Sequence, residues 1–282
     1  MGRILGCCLL LLVVSRESCH AHGAYHDIVR DLTPKIARDP DNVELRVRLL
    51  AAHVDHDEWK LALEEIGRIE KLAPGKRDLG YFKGRSLAVA GRWNEAVEPL
   101  TAFLDQHPAH EPSLAWRARS RNQTGDLEGA NADFAKACAT TKEPGLIAEY
   151  ARSLVAQDKA AQAVDVLQAG LKRMPEDPAL LECLVDCASK ATDHSTALEA
   201  IAMLQRIWPR PEIWMRRKAV YLSGIGRDAD SIAAWKGLRD HIMKLPNIER
   251  AQPFLAEMLG EARMALGEKA VPQVVAPPAG AS

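Results

Sequence analysis

A repeat of about 34 residues constrains the fold of this chain more than any other feature of its sequence. One small residue recurs at separations of 34, 34, 33, 34 and 34 residues, namely Ala62, Ala96, Ala130, Ala163, Ala197 and Ser231. A residue typical of turns lies five positions before each small residue, namely Asp57, Gly91, Gly125, Asp158, Thr192 and Gly226. A proline recurs in the same register, at Pro40, Pro74, Pro108, Pro175 and Pro209. Three markers in one register predict six copies of one structural unit.

Each unit is predicted to be two antiparallel helices joined by a tight turn. Glycine and aspartate tolerate the backbone of a helix-ending turn, and small residues on both helices allow a close crossing. The small residues of the first helices are Gly84, Ala118, Ala151 and Ala219, whereas Leu50 and Val185 predict wider crossings in the first and fifth units. A large apolar residue four positions after each recurring small residue is expected to fill the space between neighbouring units. These residues are Ile66, Leu100, Phe134, Leu167, Ile201 and Trp235.

The arrangement resembles the tetratricopeptide repeat (TPR) family over residues 43–245. The resemblance implies an all-α fold, a right-handed superhelical solenoid of about six 34-residue helix-turn-helix repeats. Because each repeat buries its apolar face only against the next, capping helices are expected at both ends. We expect the N-terminal cap in residues 24–42 and the C-terminal cap in residues 246–267, as one helix from Asn247 to Leu266. Residues 268–282, rich in alanine, proline and valine, are expected to be disordered.

Residues 1–23 have the pattern of a secretory signal peptide. Arg3 precedes an apolar run of 11 residues, Ile4 to Val14, and a polar stretch then leads to the small residues Ala21 and Gly23. The run is shorter than the roughly 20 residues that span a bilayer as a helix. We therefore expect cleavage after residue 21 or 23, no stable membrane insertion, and a periplasmic or secreted protein.

The composition and motifs exclude several functions. With 37 basic and 38 acidic residues, the net charge of -1 gives no general attraction to nucleic acid. The chain has no GxxxxGK[ST], HExxH, GxSxG or CxxC motif, so neither an enzyme nor a cofactor is expected. Three of the six cysteines lie in the predicted signal peptide, leaving Cys138, Cys183 and Cys187. Cys183 and Cys187 share a helix face and could begin a metal site, but no further ligand is evident, which favours a packing role.

The resemblance also predicts a binding surface. In TPR proteins the first helices line a concave groove, and their second, fifth, ninth, twelfth and thirteenth positions commonly contact peptides. With Arg77 as position one, three consecutive ninth positions are arginine, and a tyrosine, an asparagine and a glutamine fall at other contact positions. The candidate site residues are Tyr81, Arg85, Arg119, Asn122, Gln123 and Arg152. Arginine forks bind carboxylates in a bidentate manner, so this ladder could hold an acidic segment.

The sequence favours a non-catalytic scaffold that binds an extended or acidic segment of a protein partner in its groove. One alternative is an accessory or assembly subunit of an extracytoplasmic complex, docking through its convex face or its end helices. A remote alternative is a small-ligand or metal binder. Arg117 and Arg121 suggest a competing interpretation of the ladder, in which the helix is simply rich in arginines that are solvated or paired with acids such as Glu149.

Overall fold

The computed structural model describes residues 17–75 and 78–268, and every regular element in these ranges is a helix. The apolar run at residues 4–14, Arg77 and the tail beyond residue 268 lie outside the described residues. The all-α prediction is confirmed. None of the described helices is both long and apolar enough to cross a membrane. The chain divides into two compact units, residues 1–140 and 141–282.

The first unit contains an entry helix followed by three helix pairs. Helix α1 spans Glu17–Arg38 and continues through Pro34, so it begins before both predicted cleavage positions. Leu32 of α1 is fully buried, and Tyr25 stacks on the ring of His56 at 4.1 Å, which fastens α1 to the first repeat. The helix pairs are α2 (Val43–Asp55) with α3 (Trp59–Leu72), α4 (Gly80–Val89) with α5 (Trp93–Gln106), and α6 (Glu111–Thr124) with α7 (Leu127–Cys138).

The second unit contains three further pairs and two closing helices. The pairs are α8 (Pro144–Ala156) with α9 (Ala160–Arg173), α10 (Pro178–Lys190) with α11 (His194–Ile207), and α12 (Glu212–Gly224) with α13 (Asp228–Lys244). The single closing helix expected from Asn247 to Leu266 is wrong, since α14 (Asn247–Arg250) and α15 (Pro253–Ala265) are separate. Proline disfavours a helical conformation in the residue before it, and Gln252 is accordingly extended.

The six turns inside the pairs share one backbone geometry. Each marker residue has a positive φ, between 57° and 88°, at Asp57, Gly91, Gly125, Asp158, Thr192 and Gly226. In every turn the next N–H donates to the carbonyl five residues earlier at 2.8 to 2.9 Å, as from Glu58 to His53. This bond closes the end of the first helix. The turn prediction is therefore confirmed in all six repeats.

The periodic residues form the core. The recurring alanines are fully buried, Ser231 is almost so, and all the predicted large apolar residues are buried. In the second repeat, α4 and α5 approach so closely that a Cβ on Gly84 would lie 2.3 Å from Leu100 Cγ. At the C-terminal end, Leu255 and Ala262 of α15 are buried in one cluster with Trp235 of α13.

His110 is expected to make the first compact unit sensitive to acid. Its Nδ1 accepts the Ser113 N–H at 3.3 Å and so caps the N-terminus of α6. Burial, together with the nearby His107, lowers the pKa of His110. A protonated ring would lose this acceptor and place positive charge at a helix N-terminus. Because the unfolded chain binds the proton more readily, stability from this cap is complete above about pH 6.5 and declines as the pH falls below it.

We therefore expect a lower midpoint of urea unfolding at pH 5 than at pH 7.5, measured by circular dichroism. A His110→Asn variant, which caps without titrating, should show a smaller difference between the two pH values. His53, whose pKa burial also lowers, should maintain part of the difference in the variant. An unchanged pH dependence in His110→Asn would rule out a contribution from the cap.

Candidate functional site

In the first unit, two of the predicted arginines lie against one aromatic ring. The guanidinium carbon of Arg119 is 4.6 Å from the centroid of the Trp116 ring, and that of Arg85 is 5.8 Å away. Trp116 and Arg119 are three residues apart on α6 and therefore share a helix face, whereas Arg85 comes from α4. The sequence prediction missed Trp116, although its spacing from Arg119 was a usable signal. The ladder is thus an arginine–tryptophan–arginine cluster in this unit.

Arg85 is also held by acids of the preceding repeat. Its Nη1 donates to the Tyr81 hydroxyl at 3.2 Å and to Asp55 Oδ1 at 3.3 Å, and its Nη2 donates to Asp57 Oδ1 at 3.2 Å. Burial works against the charge of Arg85, but the hydrogen bonds that it donates to Tyr81 and Asp57 outweigh this effect and raise its pKa. Only 17% of the side chain is exposed. Arg85 is therefore oriented and partly neutralised from within the protein, which the sequence did not indicate.

Asn122 and Gln123 continue the same surface of α6. They lie three and four residues after Arg119, one turn further along the helix. Asn122 is half-buried and Gln123 is exposed. The three residues therefore occupy neighbouring positions on the surface of α6, and Gly125 caps the C-terminus of this helix.

Arg117 and Arg121, by contrast, have structural partners. Arg117 binds Asp133 in a bidentate manner, with Nε to Oδ2 at 2.8 Å and Nη2 to Oδ1 at 2.7 Å. Arg121 Nη1 donates to the same Oδ2 at 2.8 Å. The side chain of Asp133 is only 2% exposed. Asp133 of α7 is therefore the partner of both arginines. Of the three arginines of α6, Arg117 and Arg121 belong to this buried ion cluster, whereas Arg119 lies against the ring of Trp116.

Arg152 belongs to the second unit, where it lines a groove of about 680 Å³ beside α8 and α10. Its side chain is exposed. Asp186, the next ninth-position residue, lines the same groove and accepts a hydrogen bond from Arg217. Basic and acidic side chains therefore both reach this surface.

The two neighbouring cysteines also line this groove. Cys183 Sγ and Cys187 Sγ are 3.9 Å apart. The hydrogen bond with Cys187 lowers the pKa of the Cys183 thiol to about 7, against the effect of burial and with help from the positive charge of Arg152. The same bond and burial raise the pKa of Cys187. The two thiols therefore interact directly with each other at the wall of this groove.

Comparison with known proteins supports the fold assignment. No protein-family profile matches the chain, and no curated protein matches it. Among solved structures, the C-terminal part of a TPR repeat-containing protein from Cytophaga hutchinsonii matches with a TM-score of 0.61 at 13% identity, covering 86% of this chain and 98% of that one. The protein therefore has the fold of TPR proteins.

Two further solved structures agree. PilW, described as a widely conserved type IV pilus biogenesis factor, matches with a TM-score of 0.54 at 16% identity, covering 69% of this chain and 95% of that one. PilF of Pseudomonas aeruginosa matches with a TM-score of 0.50 at 13% identity, covering 78% of this chain and 99% of that one. At these identities the likeness establishes the helix-turn-helix repeat fold and nothing further.

Proposed function

We propose that the protein is a non-catalytic scaffold that works outside the cytoplasm and binds an extended, acidic segment of a protein partner on the surface of its first helices. The observation that carries this proposal is the cluster in which the guanidinium carbons of Arg85 and Arg119 lie 5.8 and 4.6 Å from the centroid of the Trp116 ring. The extracytoplasmic location rests on the signal-peptide pattern of residues 1–23.

The stacking of Arg119 on Trp116 favours recognition of a carboxylate. A guanidinium held over an aromatic face loses less rotamer freedom when it binds, because its plane is already oriented. A guanidinium group forms paired hydrogen bonds with a carboxylate through the edge of its plane. Arg85, which donates hydrogen bonds to Tyr81, Asp55 and Asp57 of this protein, acts in this proposal mainly by positioning Trp116.

Arg152 supplies a second basic position. It is exposed and lines an open groove that also contains Val155 and Ala156. A groove of this composition can accept the apolar part of a peptide while the arginine contacts an acidic side chain. Each of the two compact units thus has an arginine beside an apolar surface, Arg119 on Trp116 in the first and Arg152 beside Val155 in the second.

Charge reversal tests the proposal. We expect the triple variant Arg85→Glu, Arg119→Glu and Arg152→Glu to lose at least about tenfold in binding of the native partner, since hot-spot substitutions cost about 2 kcal/mol or more. Wild-type chain would first capture the partner from the native extracytoplasmic fraction, and binding of the purified partner would then be measured by calorimetry. Binding should also weaken as salt concentration rises.

The matched control reverses charge away from the proposed surface. Arg92 and Arg206 are exposed, and their contacts are with the surface acids Glu95 and Glu176. A double Arg92→Glu and Arg206→Glu variant should bind as tightly as the wild type, with equal helical content in all variants. If control and triple variant lose affinity equally, net charge and not this surface determines binding.

Exposed apolar residues near the C-terminus support the alternative of an accessory or assembly subunit that docks through its end helices. Ile248 is 82% exposed and Met264 is 73% exposed. The description of PilW as a biogenesis factor is compatible with such a role. An Ile248→Asp and Met264→Asp variant should bind normally if the first helices carry the function, whereas loss of the partner would favour this alternative.

A further inference from the structure

Cys183 and Cys187 place two sulfur atoms at the wall of an open groove. The sulfurs are 3.9 Å apart, and both residues line the groove beside α8 and α10. Cys183 Sγ also lies 3.9 Å from the carbonyl oxygen of Ala148 in α8, and this contact orients the Cys183 side chain. Little of either residue is exposed, but the groove, of about 680 Å³, brings solvent to them. This geometry allows a small ion to reach both thiols.

A disulfide does not fit this arrangement. Residues four apart on a helix hold their Cβ atoms about 5 to 6 Å apart. A disulfide needs Cβ atoms about 3.5 to 4.5 Å apart and sulfurs about 2.05 Å apart. Since both cysteines lie in the interior of α10, oxidation would have to distort this helix. Two thiols that are neighbours but too far apart to join are suited to bridging by a third atom.

We propose that Cys183 and Cys187 bind one thiophilic metal ion of the copper(I) class. Each thiol gives up its proton to solvent and forms one metal–sulfur bond, so the ion changes neither its own oxidation state nor that of the cysteines. With metal–sulfur bonds of about 2.3 Å, the observed separation corresponds to a sulfur–metal–sulfur angle of about 115°. That angle matches trigonal coordination and leaves the third position open to the groove.

The surroundings select a soft ion that needs few protein ligands. Structural zinc takes four ligands from the protein, and in residues 17–75 and 78–268 no group of three or more His, Cys, Asp or Glu side chains could hold a metal. Soft thiolate ligands select copper(I), zinc and iron–sulfur clusters, and of these copper(I) is the ion that does not require four protein ligands. Arg152 places a positive charge beside Cys183 and thereby offsets the charge that two thiolates bring.

The test is an anaerobic titration of the full chain with copper(I), using bicinchoninate as the competing chelator. Because residues 1–23 contain three further thiols, the titration uses a background with Cys7→Ser, Cys8→Ser and Cys19→Ser. We expect one copper(I) per chain and a sulfur-to-copper charge-transfer band in the ultraviolet. Either Cys183→Ser or Cys187→Ser should remove the band and lower the affinity for copper(I) by at least about a hundredfold. Loss of a residue that only supports a metal ligand lowers metal affinity by up to about a hundredfold, and loss of the ligand itself should cost at least as much.

Two further variants separate a built site from general thiol affinity. Cys138→Ser removes a buried thiol of the other unit and should leave stoichiometry and affinity unchanged. Arg152→Gln should weaken binding by about tenfold and retain the band, as loss of a supporting group does. Circular dichroism would verify equal helical content. Absence of the band in the background protein, or equal binding by Cys183→Ser, would overturn the proposal, as would a copper dependence on Cys138.

Discussion

Replacing Asp133 with asparagine is expected to lower the free energy of unfolding by about 3 to 5 kcal/mol. The side chain of Asp133 is nearly inaccessible to solvent and accepts hydrogen bonds from both Arg117 and Arg121 at 2.7 to 2.8 Å. Asparagine has almost the same shape but no charge, and its amide would point a donor at a guanidinium. Two partly buried cations would then lack their shared counter-ion, which costs far more than the loss of a surface ion pair.

Urea unfolding of wild type and variant would measure this difference. The matched control is Glu95→Gln, which neutralises one half of the exposed Arg92–Glu95 pair in the same unit and should change stability by less than about 0.5 kcal/mol. An apolar triple variant, with Arg117→Met, Arg121→Leu and Asp133→Leu, should recover much of the loss because no charge then remains buried. A change below 1 kcal/mol in Asp133→Asn would contradict the buried-cluster interpretation.

The ion cluster at Asp133 has a counterpart in the first repeat. Glu65, which is also buried, accepts from Arg46 Nη1 at 2.6 Å and from Arg68 Nη1 at 2.7 Å. Both acids follow the recurring small residue of their repeat by three positions, and in the repeat between them that position is held by Pro99. The repeat pattern alone did not predict these clusters, because it specifies the size of the core residues but not their charged partners.

The sequence predicted well those features that depend on backbone sterics. A turn with positive φ and a close helix crossing each restrict one position to few residue types, so both leave a periodic mark. Even Thr192, a β-branched residue with φ of 57°, was found from its place in the repeat. The break before Pro253 was missed because the apolar stripe continued across it, although proline itself was the warning.

The candidate site was less predictable because it depends on side-chain contacts between repeats. Repeat numbering identified Arg85 and Arg119, but their convergence on Trp116 depends on which way three long side chains point. The acids that hold Arg85 lie 28 and 30 residues before it, so no local pattern marks them. For the cysteines, spacing predicted a shared helix face, but only the packing of α8 beside α10 shows that the thiols reach a groove.

A second large effect is expected from a single methyl group at Gly84. An alanine there should lower the free energy of unfolding by about 1 to 3 kcal/mol through overpacking, even though alanine favours the helix by up to about 1 kcal/mol. The new Cβ would lie 2.3 Å from Leu100 Cγ and 2.8 Å from its Cδ2. Leu100 is fully buried, so its side chain has little room to move. Gly80, one turn before Gly84 on α4, is also in close contact with α5, since a Cβ on Gly80 would lie 2.5 Å from the carbonyl oxygen of Pro99. Neither Leu100 nor α5 can therefore easily move aside.

Gly67 provides the matched control for Gly84. It lies in the interior of α3 in the same unit, and a Cβ there would meet no atom within 4 Å. Gly67→Ala should therefore raise the stability by about 0.5 to 1 kcal/mol through helix propensity alone. Adding Leu100→Val to Gly84→Ala should cost less than the sum of the two single changes, because the smaller side chain makes room for the methyl group. The prediction would be contradicted if the stability losses of Gly84→Ala and Leu100→Val were additive, or if Gly84→Ala were as stable as Gly67→Ala. Either result would mean that α4 and α5 are not tightly packed between Gly84 and Leu100.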